Sequence, residues 1–352
     1  MTDTAAGQKN NRELEEIEES NYDLDITEHL EPMQRITKDI KDASRILTPR
    51  EARYLVDTYY AMQRQRIRTT NQQAAMTRLG EPHSVISWFA SQNTSLEHQV
   101  ARALAAFAAA SPVCQWAMTI RGIGPIVSAG LAAHIDITKA PTVGHIWRFA
   151  GLDPTVKWQK AEKVRATLSS LNYVQTADPN EPVDEDVIAL ACAEYGRSQD
   201  TIIAYMEGSM TLDALSKAIA RSPFNQGLKT LCWKIGESFL KVKNHEEDVY
   251  GHIMDQRYEL EKANNEIGMY AGQAVAMLKR SPGHKQKKIY KEGKLPPGHL
   301  LQRSKRYAVK FFLAHWHHVR WEIEFGEAPP KPWIFTQPEH THYLGPPNWP
   351  MK

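Results

Sequence analysis

The chain has little cysteine, no long apolar run and no stretch in which polar and apolar residues alternate. Its three cysteines, Cys114, Cys192 and Cys232, are odd in number and far apart in 352 residues. That spacing argues against a disulfide framework or a zinc-type ligand set and reads as reduced, buried thiols in a cytoplasmic setting. No run approaches the ~18 apolar residues of a membrane span. The polar, acidic first 30 residues carry no secretory pattern. Without alternation there is no strand to predict, and the expected fold class is all-α. Net charge is nearly missing as well, at +2, but this is a cancellation. Residues 1–34 hold ten acidic side chains and two basic ones, which leaves +10 on the remainder. Residues 279–310 hold eleven Lys or Arg against Glu292 alone. A block so one-sided is ordinarily a solvated loop, and beside a phosphate-binding element it becomes an electrostatic footprint for nucleic acid.

What the chain does have is the segment Thr119-Ile120-Arg121-Gly122-Ile123-Gly124-Pro125, followed by an Ala/Gly/Leu-rich run to Asp136. The pattern predicts a helix-hairpin-helix, with a first helix ending near Ile120 and Pro125 at the first position of the second. Both glycines are expected to permit positive φ and close backbone approach. The turn would then offer free N–H groups and a positive helix end to a phosphate. Such a contact positions nucleic acid without reading its sequence. The competing reading is a plain interhelical turn between tightly packed helices.

Around this core the sequence reads as six regions. Residues 1–45 form an acidic, disordered tail. Residues 46–110 are helical, opening on a Thr48-Pro49-Arg50-Glu51 capping box, with Val85, Trp88 and Phe89 sharing one helix face. Residues 111–158 are the hairpin core. Residues 159–222 are an inserted small helical subdomain, loop-like over 159–181, with short helices at Val183–Tyr195, Ser198–Met206 and Thr211–Ala220. Residues 223–326 hold the last helices. They include an apolar stripe of Leu228, Leu231, Ile235 and Phe239, a long polar helix over Val249–Leu278, and a basic loop at 279–302. Residues 327–352 are a Pro-rich extended tail.

Gly122-Ile123-Gly124-Pro125 with its Ala-rich helix, followed by Trp147-Arg148-Phe149-Ala150-Gly151-Leu152-Asp153-Pro154, resembles a known arrangement. It is similar to the C-terminal domain of insertion-sequence transposases that join a RuvC-like domain to a helix-hairpin-helix, the group that includes RNA-guided bridge recombinases. Leu228–Gly236 resembles the helix that follows the hairpin there. The resemblance implies the DNA-binding part of a transposase on a phage, plasmid or integrated element. Two departures stand out. The N-terminal third has no strands to carry the family's acidic nuclease-like site. Where the family places a catalytic Ser after the Gly-Leu-x-Pro segment, this chain has Thr155-Val156-Lys157-Trp158-Gln159-Lys160.

The expected DNA-binding residues are Thr119, Arg121, Gly122, Ile123, Gly124, Arg148, Lys157 and Lys160. Trp147 and Phe149 are read as core. His315-Trp316-His317-His318, His340 and His342 lack neighbouring ligands at metal spacing, and Asp136 is read as a turn residue. The expectation is therefore no catalytic residues, no metal and no cofactor. DNA, duplex or branched, is the expected partner, with no membrane, and a second copy or a recombinase is left open. Two other readings stand beside it: a transposase, recombinase or nuclease subunit, and a helical protein-interaction module.

Overall fold

A computed structural model of the chain describes residues 36–80, 84–155, 161–170, 203–205, 208–220, 222–330 and 344–351. Among these residues there is no strand, and the fold is all-α. The acidic head 1–34, the helix expected at Val183–Tyr195, most of Ser198–Met206, and Lys157, Trp158, Lys160, Cys192, His340 and His342 lie outside them.

The helices are α1 (Lys38–Ser44), α2 (Pro49–Arg78), α3 (Ser84–Ala110), α4 (Pro112–Met118), α5 (Pro125–His134), α6 (Val143–Phe149), α7 (Ala161–Ser170), α8 (Leu212–Ala220), α9 (Gln226–Val242), α10 (Tyr250–Glu266), α11 (Ala271–Arg280), α12 (Lys287–Lys291) and α13 (Pro297–Phe325). The chain divides into one unit within Met1–Ile146 and Thr230–Lys352, and another within Trp147–Lys229.

In the first unit, α2 starts where the sequence says it should. Thr48 accepts the Glu51 N–H, and the Glu51 carboxylate accepts the Thr48 N–H at 2.8 Å. α2 packs along α3, and α5 lies against both. The buried Glu97 of α3 is paired with Arg66 of α2 at 2.8 Å. Gly130 of α5 sits against α9, where a Cβ would meet Leu231 Cδ2 at 2.8 Å. Aromatics from four helices form the centre. Phe239 stacks on Tyr250 at 4.9 Å, Phe312 meets both edge-on at 5.7 and 5.2 Å, and Trp116 stacks on Phe312 at 6.1 Å. Burying such rings dominates core energetics. Lys305 of α13 enters this core and is held by both Glu237 oxygens at 2.7 Å.

His315 and His317 belong to the same packing. The Tyr250 hydroxyl donates to His315 Nδ1, and His315 Nε2 donates to the Leu344 carbonyl, both at 2.8 Å. His317 Nε2 donates to the Ala140 carbonyl at 2.8 Å. Asp136 caps the short 3-10 turn Ile137–Lys139 by accepting from Thr138.

In the second unit, α7 packs against α8 around Val164 and Leu215, each 1% exposed. Asp213 is paired with Lys217 at 2.7 Å and with Arg165 at 3.6 Å. α6 stops at Gly151, whose φ of +66° favours glycine. The Phe149 carbonyl accepts the Asn225 N–H at 2.8 Å.

Several expectations need correction. The stretch read as a disordered tail contains α1, and the Ile36 N–H donates to Gln99 of α3. The helix face shared by Val85, Trp88 and Phe89 lies on α3, and these side chains are exposed at 61%, 61% and 44%. Phe149, read as core, is 41% exposed. Part of the loop-like 159–181 is α7, held by Val164 and by the Arg165–Asp213 pair. The long polar helix breaks at Gly268, φ +80°, into α10 and α11. The basic loop 279–302 contains the end of α11, all of α12 and the start of α13.

Candidate nucleic-acid interface

The hairpin geometry rests on a few residues. α4 ends at Met118, where the Thr119 hydroxyl turns back to donate to the Trp116 carbonyl at 2.7 Å. Ile120 and Ile123 are buried and anchor the turn, and the Ile123 N–H donates to the Ile120 carbonyl at 3.0 Å. Between them Arg121 is exposed. Gly122 has φ +88°, and its carbonyl accepts the Ser238 hydroxyl at 2.5 Å. A Cβ at this position would stand 3.0 Å from that oxygen and 3.2 Å from Val242 Cγ2. Glycine is needed here both for conformation and for space. Gly124 differs. Its φ of −96° and ψ of 176° are ordinary extended backbone, and it is the N-cap of α5 with Pro125 at the first helical position. The expectation of positive φ thus holds for Gly122 and not for Gly124. Ile123 also departs from expectation, because its N–H is spent within the turn.

The hairpin forms one side of a cleft of about 970 Å³. Gly122, Gly124 and Val127 line it, and among the described residues their N–H groups have no acceptor within the protein. The first-turn N–H groups of a helix are orphans that seek a partner, and the helix dipole makes that partner favourably an anion. Arg121, Lys234 and Lys241 bring positive side chains to the same cleft, and Glu247 is the carboxylate among its lining residues. The Lys234 ammonium lies 4.2 Å from the centre of the Tyr60 ring, a cation–π contact that holds it over α2. Beside Glu247, Asp248 is buried and accepts the Gly251 N–H at 3.1 Å, and burial pushes its carboxyl above the usual range.

A wall of the cleft comes from far along the chain. Asn348 donates to the Thr119 carbonyl at 3.3 Å and to its hydroxyl at 3.1 Å. Trp116 Nε1 donates to the Pro347 carbonyl at 2.8 Å, and Trp349 Nε1 donates to Glu322 at 2.5 Å. Thr119, expected to face a ligand, is therefore tied on both sides within the protein.

The structure brings Thr119, Arg121, Gly122, Ile123 and Gly124 together in this cleft. Arg148 is exposed and belongs to the second unit. Lys157 and Lys160 lie outside the described residues. The sequence reading missed Lys234, Ser238 and Lys241. They follow helical spacing on α9, interleaved with the apolar Leu231, Ile235 and Phe239, so the stripe that marks the buried face also marks its complement.

Residues 114–166 match the model of the Transposase IS116/IS110/IS902 family. The match begins in α4, runs through the hairpin and α5, and ends in α7. The cleft-forming hairpin therefore lies in the segment that is similar to this family. No curated protein and no solved structure matches the chain. Within the matched segment, Thr155 is the hydroxyl closest to the family's expected Ser position. It donates to Asp153 Oδ1 at 2.7 Å, and its N–H reaches the same oxygen at 2.9 Å. Among the described residues no helix is long and apolar enough to cross a membrane.

Proposed function

We propose that this chain is a DNA-binding protein of a mobile element or phage, and that it holds the phosphate backbone in the hairpin cleft without cutting or joining DNA itself. The observation that carries the reading is a convergence in one cleft. Unspent N–H groups of Gly122, Gly124 and Val127 meet Arg121, Lys234 and Lys241 there. The transposase-related segment around the hairpin points to DNA as the anion's source. N–H groups and cations of this kind touch phosphates and leave base edges unread, so binding should be backbone-directed. Arg148, Lys157 and Lys160 are proposed as further phosphate ligands.

A second reading, a transposase or recombinase subunit, has one observation in its favour, the Thr155 hydroxyl bonded to a carboxylate. Both Thr155 donors on a single Asp153 oxygen form a local turn, and a nucleophile would need that hydroxyl released.

The test is binding and cleavage on duplex, four-way-junction and single-stranded probes, with and without magnesium. Replacing Arg121 and Lys241 by Gln should weaken binding and flatten its salt dependence by ~0.9 in log–log slope per phosphate no longer neutralised. Unchanged affinity would remove the cleft from the mechanism. Magnesium-dependent nicking that vanishes in Thr155→Val would establish the second reading instead.

A further inference from the structure

The segment between α10 and α13 is strongly cationic and firmly folded, a combination that needs a reason. Residues 267–300 contain a single carboxylate, Glu292. Lys294 is paired with Glu266 at 2.5 Å. Lys279, Arg280, Lys285, Lys287, Lys288 and Lys291 are exposed and have no carboxylate partner among the described residues. Cations elsewhere on the chain are often paired, as in Lys243–Asp255, Lys262–Glu259 and Arg320–Glu324.

An ordinary lysine-rich loop would be left to solvent. This one has its own small core of Tyr270, Ala274, Tyr290, Leu295 and Leu300, all at most 5% exposed. The buried Asn265 clamps Leu295 twice, donating to its carbonyl at 3.0 Å and accepting its N–H at 2.8 Å. Next to it, the buried Glu261 accepts from Tyr270 at 2.5 Å and from Arg303 at 2.7 Å. Burial raises the Glu261 carboxyl, but these donors together with Arg257 outweigh it and leave its pKa lowered. Tyr290 is the inward residue of α12, so Lys287, Lys288 and Lys291 are turned outward on a fixed frame. None of the six cations lines the hairpin cleft.

We infer that the outward face of α11–α12 is a second nucleic-acid site, which holds the phosphate backbone of a DNA duplex apart from the hairpin. The inference rests on the DNA-binding reading above and adds to it a surface with its own ligands. Polyphosphate fits better than an acidic protein for two reasons. Protein interface cores are depleted in lysine, whereas five of these six cations are lysines. A duplex presents about one charge per 1.7 Å of axis, which suits closely spaced point charges that need no base readout.

The experiment titrates a random-sequence 30-bp duplex with the full chain across a range of salt. It compares the parent, a Lys285→Gln/Lys287→Gln/Lys288→Gln/Lys291→Gln variant, and the Arg121→Gln/Lys241→Gln variant. All four lysines are exposed, so the thermal transition should not move. Each phosphate left without its cation should remove ~0.9 from the log–log salt slope, about eightfold in affinity at 0.1 M relative to 1 M salt. Two or more such phosphates, roughly 60-fold on that scale, is the expected result. An unchanged slope in the lysine variant overturns the inference. If only the cleft variant loses affinity, this second site alone falls. If only the lysine variant does, the hairpin reading falls and the lysine face stands. Poly-glutamate of equal charge that binds the parent as tightly as the duplex would also overturn it, because the face would then serve an acidic protein.

Discussion

The two hairpin glycines should fail in different ways when given a side chain. At Gly122, φ is +88° and a Cβ would stand 3.0 Å from Ser238 Oγ and 3.2 Å from Val242 Cγ2. An L-residue in left-handed backbone costs ~1–2 kcal/mol, and forcing a methyl into a packed site costs ~1–3 kcal/mol more. Gly122→Ala should therefore destabilise the first unit by ~2–5 kcal/mol, roughly 4–20 °C in melting temperature at ~2–4 °C per kcal/mol for a unit of this size. Part of this should return on adding Ser238→Ala, which removes the nearest atom, though it also removes the hydroxyl that bonds the Gly122 carbonyl. Gly124→Ala meets no such strain, because φ −96° and ψ 176° suit any residue. Alanine is a poorer N-cap, and the cost should stay within ~1 kcal/mol. DNA affinity should nevertheless fall, because a Cβ at Gly124 hinders the close backbone approach of a phosphate that glycine permits. Thermal melts followed by circular dichroism, with duplex binding measured on the same samples, separate the effects. If Gly122→Ala melts with the parent, the packing argument is wrong. If Gly124→Ala binds DNA as well as the parent, the N–H groups of this turn do not hold the phosphate.

Further expected outcomes concern the core and the cleft wall. Burial lowers His315 to about 4, with the Leu344 carbonyl opposing. Its neutral form is the one folded, so its contribution is complete above the unfolded value near 6.5 and is lost as pH falls from there toward 4. The loss is of the order of 3 kcal/mol; His134, lowered to about 4 by burial and then by Arg53, adds a second proton of the same sign. Urea midpoints that stay flat between pH 7 and 4 would refute this. Lys305→Met should cost ~3–5 kcal/mol by stranding Glu237, whereas Lys305→Met with Glu237→Gln should recover much of it; equal melting temperatures for the two variants would show the pair to be solvated. Asn348→Ala should cost ~1 kcal/mol and loosen the cleft wall, seen as faster amide exchange at the hairpin. Unchanged exchange there would mean that the C-terminal segment only rests on Thr119.

The parts of this fold that were legible in the sequence are those fixed by short-range chemistry. Thr48-Pro49-Arg50-Glu51 starts α2 because a hydroxyl and a carboxylate three residues apart satisfy two orphan N–H groups, whatever lies beyond. Gly122 and Pro125 place the turn for the same kind of reason. Periodicity was a weaker guide, because it says which residues share a face and not whether anything covers that face. Val85, Trp88 and Phe89 do share one, and it is exposed. Charge misled in the opposite direction. Lysine density over 279–302 suggested a loop because the spacing of Tyr290, Leu295 and Leu300 gives no local period. Their partners, Tyr270 and Asn265, lie up to 30 residues earlier.

The candidate site divides along the same line. Backbone conformation at Gly122 is a local property and could be read in advance. The side chains that make the turn a cleft arrive from α9 and from the C-terminal segment, about 110 or more residues further along. Ser238 is the informative case. Its hydroxyl on the Gly122 carbonyl at 2.5 Å joins the turn to α9, and Lys234 and Lys241 are its neighbours on that helix and in the cleft. Once Gly122 is known to have no room for a Cβ, some element must lie within van der Waals reach of it, and here that element is α9. The polar residues spaced three and four apart on that helix are then the ones a bound phosphate would meet. The requirement for glycine and the supply of cations therefore have one structural cause, the close approach of α9 to the turn. A substitution that pushes α9 away, such as Gly122→Val, should weaken both together.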